Sequence, residues 1–244
     1  MERYWPRKAP GLPPGQRLLT ELPRFSDQPG RPPPAPVEPV ELGVTAPGWA
    51  GLTLGWDEIV ALGPRTRPSD LHCVTTWTYR GLAWGGVPLV ELWRRLVVPR
   101  AGAHADAPFV LVRGGDGYRA VFRSEDLFAP DVLVAWTLDG RPLEPRHGAP
   151  LRLVSPSQYG YKSVKHLTRF ELHRTRRPGG LGAKEHLRAR VAEEERHSRL
   201  PGRLLRVPYR LVIPFVASLG ERNAEPGDYR RDPPPGSARM TSPR

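Results

Sequence analysis

Leu71-His-Cys-Val-Thr-Thr-Trp-Thr78 holds Cys73, the only cysteine in 244 residues. A lone cysteine is ordinarily a small buried hydrophobe, because thiols pack well and react only in particular surroundings. The surroundings here differ. Gly63, Pro64, Pro68, Ser69 and Asp70 form a turn-rich approach, and a short β-branched run leads from Cys73 to Trp77. That pattern puts the sulfur where a loop enters a strand, so a rigid element aims the group while the loop leaves one side open.

Working outward, Trp84-Gly-Gly-Val-Pro-Leu89 reads as a tight turn into an amphipathic helix over 88–97, with Val90, Leu92, Trp93, Leu96 and Val97 on its apolar side. Upstream, Val40, Leu42 and Val44 alternate as a strand, and 51–55 leads into a short helix over 56–62. Downstream, 109–112 and 118–122 flank Gly114-Gly-Asp-Gly117, a hairpin signal. Ser124 caps a turn to Phe128, and 132–136 and 151–154 read as strands. Short strands, few helices and many Gly/Pro turns predict an α+β domain, mixed and mainly β.

Two polar clusters remain, His147-Gly-Ala-Pro-Leu-Arg152 and Tyr159-Gly-Tyr-Lys-Ser-Val-Lys-His166. Read alone, His147 could be a surface turn residue, Arg152 an outward strand residue paired with Glu171, and Lys162 with Lys165 a solvated basic edge. Taken in order, the Cys-Val-x-x-Trp run, the Gly-Val-Pro-Leu turn and these two clusters resemble the molybdopterin-binding domain of the sulfite-oxidase-type oxidoreductases. That group includes sulfite oxidases, plant-type nitrate reductases and the catalytic subunit of a bacterial methionine sulfoxide reductase. The resemblance covers about 23–173, one domain's length.

The resemblance implies a molybdenum-molybdopterin cofactor, with Cys73 as metal ligand and catalytic residue. A soft thiolate suits a coordination sphere already rich in dithiolene sulfur, and the cofactor carries the hard chemistry. By the same resemblance His147 hydrogen-bonds the cofactor, Arg152 and Lys165 are its basic contacts, and Ser163, Val164 and Lys165 wrap it. Arg24, Phe25 and Ser26 match an arm that reaches the pterin. The expected reaction is two-electron oxygen-atom transfer with a small-molecule oxo-donor or oxo-acceptor. Arg80, Arg113 and Arg119 are candidates for holding an oxyanion substrate, although nothing in the sequence converges them. One cysteine cannot ligate an iron–sulfur cluster and no haem or flavin motif occurs, so a separate haem or flavin protein is expected as electron partner.

The flanks differ in composition. Residues 1–39 read as an extended arm with a polyproline run, 40–173 as the molybdopterin-binding domain, 174–219 as a helical extension and 220–244 as a disordered basic tail. Within the extension, 183–200 has a helical charge pattern, and the apolar stretch 204–219 could pack on the domain, lie peripherally on a membrane or dock an electron carrier. Residues 174–244 hold 16 of the 37 basic residues and 8 of the 25 acidic ones, hence +8 of the +12 net charge. This raises a rival reading, a basic nucleic-acid-binding protein, and a second rival is a catalytically silent binding module of the same fold. Against the first, the excess is arginine in an Ala-, Gly- and Pro-rich chain with no zinc-finger, RNP-like or helix-turn-helix pattern, so no nucleic acid is expected. With no apolar run at the start and no arginine pair before Arg94-Arg95, a cytoplasmic location is expected. The sequence leaves the oligomeric state open.

Overall fold

Leu42 and Val44 are fully buried between less buried Gly43 and Thr45, the two-residue period of a strand with one face in the core. The structure is a computed structural model that describes residues 4–24 and 32–222. Its first half runs β1 Arg17–Leu18, β2 Glu41–Ala46, β3 Trp49–Gly55, α1 Trp56–Val60, β4 Arg65–His72, β5 Trp77–Pro88, α2 Leu89–Leu92 and α3 Val98–Ala101. Then come β6 Phe109–Gly114, β7 Arg119–Arg123, α4 Ser124–Leu127, β8 Leu133–Leu138, β9 Arg141–Pro142, β10 Arg152–Val154, β11 Leu167–His173, α5 Arg206–Leu211 and α6 Ile213–Arg222. Two sheets result. One is ordered β1-β5-β8-β10, with β4 on β5 and β9 on β8; the other is ordered β3-β2-β11-β6-β7.

The mixed, mainly β class read from the sequence is the one observed, with short helices at the C-terminal end. β8 shows why two layers are not enough. Val134 points into the main core between the sheets, whereas Leu133 and Ala135 point to a second cluster on the far side. A sheet apolar on both faces needs two covers. The second cover comes from the flanks, Tyr4 and Leu19 on one side and Ile213 and Ala217 of α6 on the other. Cys73 and Leu71 pack at the edge of this second cluster.

Five expectations need correction. Residues 65–72 form strand β4 rather than a loop; Pro68 is tolerated because β4 is an edge paired only with β5. Gly85 and Gly86 lie inside β5 rather than in a turn. A Cβ on Gly86 would sit 2.1 Å from the Val134 carbonyl oxygen, so the glycine is there for close strand approach. The helix expected at 88–97 does form and runs through a wider π turn, Trp93–Val97, into α3.

The third correction concerns 183–200, which is irregular apart from one 3-10 turn, Gly182–Lys184. Its charges pair across turns instead of along a helix, as in Arg190 with Glu195, and Ala189 and Glu194 adopt left-handed backbone. Helix begins only at Gly202, so the extension is a strap followed by helices. Finally, α6 continues through Arg222, past the boundary expected at 220; the remaining tail, 223–244, lies outside the described residues. The N-terminal arm is not purely extended either, since β1 pairs in parallel with Trp77 and Thr78 of β5.

Candidate active site

β4 and β5 are joined by a tight turn, and Cys73 is its first residue rather than the start of a strand. The Cys73 N–H donates to the Trp77 carbonyl at 2.7 Å, and the Thr76 N–H donates to the Cys73 carbonyl at 3.1 Å. Thr76 closes the turn at φ 76°, a left-handed conformation that a β-branched residue adopts only under constraint. The constraint is visible. Gln16 Nε2 donates to the Cys73 carbonyl at 3.1 Å, while Arg196 donates through Nη1 to the Val74 carbonyl at 2.6 Å and through Nη2 to the Pro14 carbonyl at 3.2 Å. The Arg196 guanidinium is fully buried and lies 4.8 Å from the Tyr159 ring centre. One residue of the C-terminal strap thus ties the N-terminal arm to the cysteine turn.

The thiol faces a cavity of about 310 Å³. Its lining includes Cys73, Thr75, Asp116, Tyr118, His147, Arg152, Tyr161, Ser163 and Lys165, with Leu22, Pro23, Leu71, Val74 and Val216 as apolar wall. Burial pushes the Cys73 thiol up, opposed by a 3.1 Å contact with the Thr75 hydroxyl and by the Arg196 charge.

Opposite the cysteine turn, His147 ends a one-turn helix and Gly148 follows at φ 104°. A Cβ on Gly148 would lie 2.9 Å from the Lys165 Cα, so only glycine lets this turn rest on the Lys165 backbone. Lys165 Nζ donates to the Arg146 carbonyl at 2.8 Å. Arg152, buried at the start of β10, donates to the His147 carbonyl at 2.9 Å and stacks on Trp84 at 4.8 Å. Its Nε is buried with no hydrogen-bond partner among the described residues. Desolvation pushes Arg152 down to about 10, and Lys165 falls well below its ordinary value through burial and the repulsion of Arg152 and Arg24. Among the described residues, Asp116 is the one carboxylate on the cavity wall. Positive charge held under this strain is a site that an anion relieves.

Five of the residues singled out in the sequence therefore meet at one cavity: Cys73, His147, Arg152, Ser163 and Lys165. Val164 does not face it. Its side chain is fully buried in the main core and its carbonyl accepts from the Leu153 N–H. Arg24 is buried close enough to depress Lys165 but is not on the lining, and Phe25 and Ser26 lie outside the described residues. Arg80 bonds the Pro10 carbonyl, Arg113 pairs with Glu171 rather than leaving Glu171 to Arg152, and neither they nor Arg119 line the cavity. Nor is Lys162 a solvated edge. It is fully buried, 2.8 Å from Glu185, under the Tyr161 turn.

Sequence reasoning missed Gln16, Asp116, Tyr118, Tyr161, Arg196 and Val216. Tyr161 sits inside the Tyr159–His166 cluster and could have been taken from it; the others carry no local signal. A sequence profile described as the oxidoreductase molybdopterin binding domain matches residues 33–180. Uncharacterized oxidoreductase YuiH of Bacillus subtilis (strain 168) is 30% identical over 128 residues, 52% of this chain and 62% of that protein. The protein-methionine-sulfoxide reductase catalytic subunit MsrP of Xanthomonas campestris pv. campestris is 33% identical over 124 residues, 46% of this chain and 38% of that protein. This chain thus spans less than two thirds of the length of these curated relatives. The solved sulfane dehydrogenase SoxCD of Paracoccus pantotrophus aligns at a TM-score of 0.47 with 20% identity, covering 55% of this chain and 38% of that one.

Proposed function

The chain belongs to the oxidoreductase molybdopterin-binding domain family, a family of sulfite-oxidase-like enzymes, and from that premise we propose that it performs two-electron oxygen-atom transfer at a mononuclear molybdenum held by Cys73. The observation that carries the reading is convergence. A thiol, two cations, an imidazole and a hydroxyl from separate parts of the chain line one cavity of about 310 Å³.

The donor set fits the family's cofactor. Cys73 supplies a soft thiolate for a sulfur-rich metal, and the buried, unpartnered Nε of Arg152 with the mutually repelling Arg152 and Lys165 suits a pterin phosphate. When bound, the cofactor supplies the two-electron couple and the place of oxygen exchange. The chain's own residues do the rest. Arg152 and Lys165 would anchor the anion, His147 and Ser163 would hold the group by hydrogen bonds, and the Thr76 turn would fix the sulfur. Leu22, Leu71, Val74 and Val216 keep water from the open side.

The wall beside the sulfur bears on substrate. Leu71, Val74 and Thr75, next to Cys73 in sequence, are uncharged, and Arg80, Arg113 and Arg119 are engaged or turned elsewhere. This favours an uncharged oxo-sulfur compound over an oxyanion such as sulfite, and relatives named protein-methionine-sulfoxide reductase favour the same class. In the reducing direction a sulfoxide takes up two electrons and two protons, its S–O bond breaks, and thioether and water leave. The electrons come from a separate haem or flavin protein.

Elemental analysis and pterin fluorescence on protein from a host competent in cofactor synthesis test the class, and dye-linked assays with a sulfoxide and with sulfite test the substrate. Near-stoichiometric molybdenum, lost in folded Cys73→Ser, and sulfoxide turnover are expected. Folded wild-type protein without metal would favour a binding module instead. Sulfite turnover without sulfoxide turnover would reverse the substrate assignment.

A further inference from the structure

We propose that the outer face of α5 and α6, with the turn before them, is a docking surface for an anionic lipid bilayer. Leu204, Val207, Leu211 and Phe215 are 63%, 62%, 63% and 67% exposed. Steps of three and four residues put them on a single stripe, because Val212 stays in helical geometry and carries α5 into α6. The opposite stripe, Ile213, Ala217 and Gly220, is buried. Both faces are apolar, yet among the described residues only one is covered. Isolated surface leucines need no explanation, but four large apolar side chains in register, each about two-thirds exposed, form a patch of the kind that marks an interaction.

The charge beside the stripe selects the occupant. Residues 198–219 carry Arg199, Arg203, Arg206 and Arg210 and no Asp or Glu. Arg206 is held by Glu194, whereas Arg199 and Arg203 are exposed. An apolar stripe on a segment that carries four arginines and no carboxylate of its own complements a negatively charged headgroup layer. The side chains enter the acyl boundary while the guanidinium groups meet phosphates. Crossing the bilayer is excluded for these segments, since no described helix is long and apolar enough. Lying flat on the surface is the geometry that remains.

Val216, next to Phe215, lines the cavity of Cys73. Docking would therefore set the cavity wall against the bilayer, within a helix diameter of about 10 Å. Delivery of a membrane-borne electron carrier to that wall rests on the redox reading above; the docking itself does not.

Vesicle flotation with purified full-length protein is the test, comparing mixed phosphatidylcholine–phosphatidylglycerol vesicles with phosphatidylcholine alone. Wild type is expected to float with the anionic vesicles and to be released by salt. Leu211→Gln with Phe215→Gln, both at exposed positions, should reduce partitioning about ten-fold or more, and Arg203→Glu about five-fold or more. Unchanged circular dichroism and thermal melting would show that the variants remain folded. No binding to anionic vesicles, or binding indifferent to both variants, would overturn the assignment. A concentration-dependent dimer abolished by the double variant, without vesicle binding, would give the face to a second copy and equally overturn it. None of these readouts needs the cofactor, so failure here leaves the redox reading standing.

Discussion

Replacing Arg196 with methionine should loosen the cysteine turn from outside the matched family segment. The guanidinium is fully buried and serves the Val74 carbonyl at 2.6 Å and the Pro14 carbonyl at 3.2 Å. Methionine fills most of the same volume but donates nothing, so two part-exposed carbonyls lose a charged donor at ~1 kcal/mol each. Loss of the contact with the Tyr159 ring removes about 2 kcal/mol more for a desolvated pair. Glu194 keeps Arg206, so no carboxylate is stranded, and removing a buried charge returns part of its desolvation cost. The net expectation is a loss of about 3 kcal/mol, a large share of a domain's ~5–15 kcal/mol. Urea unfolding measures the global change, and amide exchange over 73–76 measures the local one. Molybdenum content should fall in parallel. Arg196→Lys, which can reach one carbonyl but not both, should sit between the two. A loss under about 1 kcal/mol with protected amides and full metal content would refute the clamp.

Lys162→Met should cost about 3–5 kcal/mol, because it leaves Glu185 buried without its cation, and adding Glu185→Gln should recover much of that in chemical denaturation. Lys165→Met should have the opposite sign in cofactor-free protein. The folded pKa of Lys165 lies well below its unfolded value, so the unfolded chain holds that proton more tightly, and stability rises with pH between the folded and the unfolded pKa. Removing the charge should raise the melting temperature at neutral pH, flatten that pH dependence and weaken cofactor retention; a lower melting temperature would contradict it. Gly86→Ala should prevent close pairing of β5 and β8, since its Cβ would meet the Val134 carbonyl oxygen at 2.1 Å, and soluble yield with near-ultraviolet circular dichroism should report the loss.

What the sequence disclosed and what it hid divide by range. The β6–β7 hairpin and the strand at 41–46 are written locally, in a Gly-Gly-Asp-Gly turn and a two-residue period, and both form where expected. Cys73, His147, Arg152 and Lys165 were picked out through the ordered motifs of the family resemblance rather than one by one, and the fold brings all four to one cavity. β4 was hidden because an edge strand can be polar and carry Pro68, which also makes it read as loop. The deeper failure was electrostatic. Lys162 and Lys165 look alike in sequence, two basic residues in one solvated-looking turn, yet Lys162 is fully buried and Lys165 lies half-buried on the cavity wall. A buried cation must be answered by something, and the answers lie far along the chain. Lys162 is met by Glu185 from the strap, and Arg196 reaches Val74 across 122 residues. Lys165 faces the cavity beside Arg152 instead, where the charges that act on it most strongly, Arg152 and Arg24, repel it. Lys162 is therefore paired deep inside the protein, whereas Lys165 lies on the cavity wall with Arg152 and Asp116 and donates to the Arg146 carbonyl. That asymmetry supports a structural role for Lys162 and a binding role for Lys165, and no pattern of nearby residues could have drawn the distinction.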